Sequence, residues 1–180
     1  MRIKPKYFWE NFKNEFVKRK RKNPKFMEKY SLNKDWTIEV KDLIEDFAYN
    51  IMSCKSSVKE YWPKLDIAIF DKCQDEEWSE WALEVAVEVE NNIKTVKNEI
   101  RKLMLINAGL KVLITYYISN DEIDNILTET SKIYKSRKYY TENDTWLFIF
   151  APIWRPEKMD NWIVYKFSKN KFDKIDECNI

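Results

Sequence analysis

The chain has 180 residues, of which 44% are hydrophobic and 34% charged, and its formal net charge is only +2. This balance predicts one domain with an ample core, and it requires any nucleic-acid surface to be local. Histidine is absent and Gly109 is the single glycine, which excludes histidine-based catalysis, histidine–zinc sites and glycine-rich phosphate loops. The carboxylates and lysines that are left suit metal-assisted chemistry best.

Nothing in the sequence predicts a membrane or secretory protein. No apolar run approaches the roughly 20 residues that a membrane span needs, and the first residues lack the hydrophobic segment of a signal peptide. The three cysteines lie far apart and form no paired motif, which favours a reducing compartment. We therefore expect a cytoplasmic protein without membrane contact.

The first predicted helix covers residues 7–22, where aromatic residues recur every four positions. It ends in a basic run, for which two interpretations are open. Cations are favourable at a helix C-terminus on dipole grounds alone, or they contact nucleic-acid phosphates. The run consists of Lys18, Arg19, Lys20, Arg21 and Lys22.

A second helix is predicted over residues 35–52, and the first clear strand follows at residues 65–71. Both faces of this strand are mostly apolar, which is typical of a central, covered strand. Asp66 lies near its beginning, where a buried carboxylate needs a partner or a cation. The alternative is that Asp66 caps a turn after Pro63.

Residues 83–92, LEVAVEVENN, alternate strictly and predict a strand with two different faces. One of these faces carries three glutamates within seven residues. Carboxylates at this spacing repel each other unless water, a shared proton or a hard divalent cation relieves the repulsion. The alternative is an edge strand with a solvated acidic face. The apolar face holds Leu83, Val85, Val87 and Val89, and the other face holds Glu84, Ala86, Glu88 and Glu90.

The acidic segment at residues 73–80 predicts a hairpin connection between these two strands. Antiparallel pairing places early residues of the first strand beside late residues of the second. Asp66 would then approach Glu88 and Glu90, on the face where Ala68 and Ala86 leave room.

A third helix, predicted over residues 92–107, carries a basic stripe of Lys94, Lys97 and Arg101. The stripe fits either solubility and ion pairs with Glu99 or the positioning of phosphate. The strand at residues 110–118 follows, and this strand–helix–strand order implies parallel neighbours. Beyond it we predict a helix at 120–138, strands at 145–153 and 161–168, and a tail at 169–180 that includes at most a short strand.

With Asp66 on one strand and Glu88-Val89-Glu90 on the next, this order of elements resembles the PD-(D/E)XK, or restriction-endonuclease-like, nuclease superfamily. The resemblance covers roughly residues 35–117. It implies an α/β fold with a mixed central β-sheet flanked by helices. In that superfamily, an aspartate and a D/E-x-K pair on adjoining strands bind Mg²⁺ and activate water. The resemblance thus implies that Asp66 and Glu88 are metal ligands, with the Val89 carbonyl as a further candidate. Glu90 is our own candidate for a third metal ligand.

Two features depart from the family pattern. Pro63 and Asp66 are separated by two residues where the family has an adjacent Pro-Asp, and Glu90 stands where lysine is usual. A lysine of the following helix, Lys94 or Lys97, would then act in place of the missing one. The catalytic set implied by the resemblance is Asp66, Glu88, Glu90, Lys94 and Lys97.

The resemblance implies a Mg²⁺- or Mn²⁺-dependent endonuclease that acts on DNA without a nucleotide cofactor. The basic run and the stripe of Lys94, Lys97 and Arg101 would contact the nucleic acid. A homodimer is compatible with this function, because many such nucleases pair up to cut two strands. We expect one domain over residues 1–180, with a basic and aromatic helix at 1–30, a nuclease-like core at 35–117, and a C-terminal helix and strands at 120–180.

Two other functions are compatible with the sequence. The same fold would also suit a catalytically inactive module that binds nucleic acid or a protein partner. Alternatively, the abundant aromatic residues form a partner surface, since exposed aromatic patches mark interaction sites. The tryptophans considered for such a surface are Trp78, Trp81, Trp154 and Trp162.

Overall fold

The computed structural model describes residues 3–23, 25–27, 33–51, 57–59, 65–71, 82–136, 144–153 and 161–179. Helices and strands alternate over much of this length. The helices are α1 (Pro5–Lys22), α2 (Asn33–Ile51), α3 (Val96–Leu105) and α4 (Asn120–Lys135). The strands are β1 (Ser57–Lys59), β2 (Ile67–Asp71), β3 (Ala82–Glu90), β4 (Leu110–Tyr117), β5 (Trp146–Pro152), β6 (Trp162–Ser168) and β7 (Lys171–Cys178).

The strands form one seven-stranded sheet whose spatial order, β1 to β7, is also the chain order. Strands β1, β2 and β3 are antiparallel neighbours, and so are β5, β6 and β7. The central strands β3, β4 and β5 are parallel. Parallel neighbours need crossover connections, which α3 and α4 supply. The predicted α/β class with a mixed sheet is therefore confirmed.

Helices cover both faces of the sheet. On one face, α1 and α2 pack on a core that includes Val87 of β3 and Val112 of β4. On the other face, α3 and α4 pack on a core that includes Ala86 and Leu113. Every residue of β4 is buried, which explains why its sequence LKVLITYY is almost continuously apolar.

The alternation predicted for β3 breaks near its start. Val85 pairs with Ile69, but Leu83 pairs with Phe70, so Glu84 is an extra residue in a β-bulge. One extra residue reverses the alternation of faces. Leu83 consequently packs on the α3 side of the sheet, whereas Val85 packs on the α1 side. The prediction that Leu83 shares a face with Val85 is wrong for this reason.

Helix α3 begins at Val96 rather than at residue 92, because the preceding residues form a turn. The backbone N–H of Thr95 donates to the carbonyl of Asn92 at 3.0 Å. The backbone N–H of Lys94 donates to the Asn92 side chain at 3.1 Å. An asparagine that hydrogen-bonds the backbone two residues later is a common way to start a turn.

The predicted C-terminal tail is instead mostly strand β7. A two-residue turn connects β6 to β7, and its residues Lys169 and Asn170 have φ angles of 52° and 62°. Positive φ at both positions matches the twist of a tight hairpin. The hairpin makes β7 a full edge strand, and this short-range turn signal was missed in the sequence.

Helix α1 is joined to the far edge of the sheet through Asp176 of β7. The Trp9 indole N–H donates to Asp176 Oδ2, and Lys13 Nζ lies 2.9 Å from the same oxygen. Trp162 is buried against the Trp9 and Phe12 rings, so it belongs to the core rather than to a partner surface. The acidic connection at residues 73–80 and Trp78, Trp81 and Trp154 lie outside the described residues.

Within the described part of the chain, no helix combines the length and the apolar character that crossing a bilayer requires.

Replacing Asp176 by asparagine tests the anchoring of α1. Burial alone would raise the pKa of this carboxyl. Hydrogen bonds from Trp9 and Lys13 lower the pKa by a larger amount, so the net shift is downward. A lowered pKa gives stability that is complete above the usual aspartate value of about 4 and is lost as the pH falls through the shifted value. We expect D176N to lower the free energy of unfolding by about 1–2 kcal/mol at pH 7 and by less at pH 3, as measured by urea denaturation.

The matched control is Asp173→Asn on the same strand. Asp173 pairs with Lys171 at 2.9 Å on the exposed surface, and such pairs contribute about 0–1 kcal/mol. Equal losses for D176N and D173N at both pH values would show that the contacts of Asp176 do not anchor α1.

Candidate functional site

The candidate site lies where the beginning of β2 meets the end of β3. Ile67 pairs with Val87 and Ala68 with Ala86, so the predicted antiparallel pairing of these strands is confirmed. Asp66 directly precedes β2, and this register brings it alongside Glu88. The backbone N–H of Val89 donates to Asp66 Oδ2 at 2.8 Å, which holds the carboxylate against the end of β3.

Both oxygens of Asp66 have hydrogen-bond donors. Oδ2 accepts from the Val89 N–H, and Oδ1 lies 2.8 Å from Lys41 Nζ. Lys41 comes from α2, on the face of the sheet that α1 and α2 cover. The sequence indicated that Asp66 needs a partner but not that Lys41 provides it. The available signal was that Lys41 directly follows Val40, a residue of the buried stripe of α2.

Glu88 is the buried carboxylate of the site, with 1% of its surface exposed. Its Oε2 accepts a 2.9 Å hydrogen bond from Lys102 Nζ on α3. Its Oε1 is also buried and has no hydrogen-bond partner among the described residues. A buried carboxylate oxygen without a donor is costly unless it gains a proton, a water or a cation.

The pKa of Glu88 is raised to about 9. Burial is the largest cause, and the negative charge of Asp66 and the neighbouring Glu99 carboxyl raise the pKa further, whereas Lys102 opposes these effects. Although burial lowers the pKa of Lys102, its hydrogen bonds to Glu99 and Glu88 raise it above the usual lysine value. The site therefore pairs a carboxyl group that resists ionisation with an ammonium group that stays charged.

Glu90 is placed differently from Glu88. It is half-buried at the end of β3, and its Oε1 accepts a 2.7 Å hydrogen bond from the backbone N–H of Asn92. This bond closes the turn that leads into α3. Among the described residues, no three acidic or cysteine side chains lie close enough to form a metal site by themselves. The structure thus brings Asp66 and Glu88 together but does not gather Glu90 with them into one three-carboxylate site.

The lysine that reaches Glu88 is Lys102 rather than Lys94 or Lys97. Lys94 and Arg101 are exposed, and Lys97 Nζ pairs with Glu129 of α4 at 3.2 Å. Lys102 also contacts Glu99, three residues earlier on α3. A sequence signal for this pair existed, because Glu99 and Lys102 each directly precede a buried residue of the apolar stripe, Ile100 and Leu103.

The basic run at the end of α1 is partly engaged in ion pairs. Lys18 Nζ lies 2.7 Å from Glu15. The Arg19 guanidinium contacts Asp46 of α2 and donates to the Asp42 carbonyl at 2.8 Å. These contacts join α1 to α2 and explain the position of Arg19 without a nucleic acid. Lys20 is half-buried, whereas Arg21 and Lys22 are exposed.

Asp66 and Glu88 together fit a hard divalent cation. Glu88 Oε1 is a buried oxygen without a donor, and Asp66 is close enough to raise the pKa of Glu88 by its charge. Mg²⁺ is commonly held by one or two carboxylates and takes its other ligands from water and substrate phosphates. Two carboxylates would therefore suffice for this ion, and Lys41 and Lys102 fix their orientation.

No protein-family model matches this chain, and no curated protein sequence matches it either. What the site can do follows from the chemistry of its own residues.

The burial of Glu88 predicts a change in stability when it is replaced by glutamine. The folded state binds the Glu88 proton more tightly than the unfolded state, so stability falls as the pH rises from about 4.5 to about 9. Glutamine keeps the shape but does not ionise, and Lys102 keeps Glu99 as a partner. We expect E88Q to raise the free energy of unfolding by about 1–3 kcal/mol at pH 8 and to leave it unchanged at pH 4.

Urea denaturation at both pH values measures this effect. Glu10→Gln on α1 is the control, because Glu10 is exposed. A loss of stability in E88Q at pH 8 would mean that the ion pair with Lys102 outweighs the cost of burying the carboxylate.

Proposed function

We propose that this chain is a Mg²⁺- or Mn²⁺-dependent nuclease of restriction-endonuclease-like fold that hydrolyses phosphodiester bonds of DNA. The observation that carries the proposal is the buried, incompletely hydrogen-bonded Glu88 beside Asp66. A strongly perturbed carboxylate with a specific charged partner is typical of functional sites. A buried polar atom without a partner needs an explanation, and a bound cation supplies one here.

The topology around the site supports the fold part of the proposal. Within residues 35–117, a helix leads into three antiparallel strands, and α3 then crosses over to a parallel strand. Asp66 directly precedes the second of these strands, and Glu88 lies in the third. The resemblance to the nuclease superfamily rests on this order of elements and on this placement of acids.

Asp66 and Glu88 would hold the metal ion in this proposal. When bound, the ion lowers the pKa of a coordinated water and offsets the charge that develops on the phosphate oxygens. The Val89 N–H and Lys41 fix the direction of the Asp66 carboxylate. Lys102 fixes Glu88 in the same way and leaves Oε1 as its open ligand atom.

Lys102 replaces the lysine that the superfamily carries where this chain has Glu90. Its raised pKa keeps it protonated at neutral pH, so it acts as a cation rather than as a base. A fixed ammonium group beside the metal ligands stabilises the negative charge of the transition state. Glu90 lies on the same face at the end of β3, and in this proposal it orients the attacking water.

The second candidate is a non-catalytic module that binds nucleic acid. Lys41, Lys102 and the Val89 N–H already hold three of the four oxygens of Asp66 and Glu88, which favours a site that is stable without metal. Such a module would bind DNA equally well with and without Mg²⁺. It would also tolerate E88Q without loss of function.

The pH dependence of metal binding separates these two candidates. A metal ion must displace the Glu88 proton, so binding competes with protonation below the raised pKa. We expect the apparent dissociation constant for Mg²⁺, measured by calorimetry, to fall about tenfold for each pH unit from 7 towards 9 and then to level off. Binding should be lost in E88Q and D66N. Metal binding that is independent of pH would exclude Glu88 as a ligand.

Cleavage assays identify the lysine that serves the site. With supercoiled plasmid and Mg²⁺, we expect K102M to lower the cleavage rate about 10²–10³-fold, because it removes the fixed charge beside Glu88. Lys97→Met is the matched comparison on the same helix and should cleave almost normally, since Lys97 pairs with Glu129. Circular dichroism would check that both variants fold. A larger loss of cleavage rate in K97M than in K102M would show that Lys97, and not Lys102, supplies the cation beside the metal ligands.

A further inference from the structure

The cations of this chain are concentrated near its beginning. Residues 4–22 contain eight lysines and arginines and two glutamates, whereas the whole chain has a net charge of +2. The rest of the molecule is therefore slightly acidic. A polyanion would be attracted to the surface around α1 rather than to the molecule as a whole.

A groove lies where the first turn of α1 faces the β6–β7 hairpin. It has a volume of about 490 Å³, and no acidic side chain is among the residues that line it. One of its walls is the start of α1, and the other is the end of β6 with the hairpin turn. The lysines that line it are Lys4, Lys6, Lys166 and Lys169.

These lysines differ from the basic run at the other end of α1. Lys4, Lys166 and Lys169 form no ion pair with any residue that the structure describes, and Lys6 reaches the exposed Glu10 only at 3.9 Å. Asp173 is opposite Lys166 in the β6–β7 pair but makes its ion pair with Lys171. The groove therefore carries positive charge that no acidic side chain of its lining neutralises. The positive end of the α1 dipole adds to this charge.

The groove is separate from the Glu88 site. It includes Gly109 and Thr145, which directly precede the parallel strands β4 and β5. Glu88 lies near the opposite, C-terminal end of β3, which is parallel to β4. The groove also lies beside α1, whereas Glu88 contacts Lys102 of α3 on the other face of the sheet.

We propose that this groove binds the sugar–phosphate backbone of duplex DNA at a point distant from the cleavage site. The choice of DNA as the polyanion rests on the proposed function, and the cationic groove supplies the chemistry. Lysines recognise phosphates as point charges. No aromatic side chain lines the groove, so it offers no platform for base stacking and does not read sequence.

Salt-dependent binding to a 20-base-pair duplex of arbitrary sequence, measured by fluorescence anisotropy in EDTA, tests this proposal. The variant K166Q/K169Q removes two groove charges. We expect its affinity at low salt to fall about tenfold and the slope of log K against log [salt] to decrease by about 1.8, or about 0.9 for each lost phosphate contact. The matched control K132Q/K135Q removes two exposed lysines from α4 and should leave the slope nearly unchanged.

Two results would overturn the proposal. If the groove and control variants weaken binding equally, the effect is one of total charge and not of the groove. If inorganic phosphate at low millimolar concentration displaces the duplex from the wild-type protein but not from K166Q/K169Q, the groove is a site for a small phosphate ligand.

The outcome is independent of the nuclease proposal. E88Q should bind the duplex in EDTA as the wild type does, because Glu88 is far from the groove. K166Q/K169Q should need a higher protein concentration for half-maximal plasmid cleavage, with unchanged Mg²⁺ dependence. A groove that binds DNA in a protein that never cleaves it would refute the nuclease proposal alone.

Discussion

Glu88 lies in a sheet that is covered by helices on both faces. The side chains around it offset the free-energy cost of burying its carboxyl group. A carboxylate in such a position requires a proton, a donor or a cation. Lys102 supplies one donor from α3, and Glu99 keeps Lys102 charged. The orientation of α3 on the sheet is therefore linked to the acid that β3 carries beneath it.

The same requirement explains why the two acids of the site use lysines from opposite layers. Asp66 precedes β2 and is reached by Lys41 from the α2 side, whereas Glu88 is reached by Lys102 from the α3 side. The edge where β2 begins and β3 ends is thus a junction between the two helical layers. A group bound there would be in contact with the sheet and would be positioned by both layers, which suits a catalytic site.

The positive charges of the molecule serve three different purposes. Arg19 holds α1 on α2, and Lys102 and Lys41 hold the acids of the candidate site. Of the groove lysines, Lys6 has only the distant Glu10 as a partner, and the other three have no acidic partner among the described residues. A buried and paired cation contributes to structure, whereas an exposed and unpaired one contributes to the external field. The number of lysines in a stretch of sequence consequently says little about binding until their partners are known.

The sequence by itself determined the class of the fold and the central pairing of strands. Hydrophobic periodicity located the helices and strands, and the short connection after residue 71 predicted the antiparallel pair that places Asp66 beside Glu88. The tertiary structure decided which face Leu83 occupies, which lysine reaches Glu88, and that Glu90 closes a turn. Periodicity records which side of an element is apolar, whereas a bulge or the rotation of a helix on the sheet depends on packing between distant segments. For that reason the acids were identifiable from sequence, but Lys41 and Lys102, which complete the site, were not.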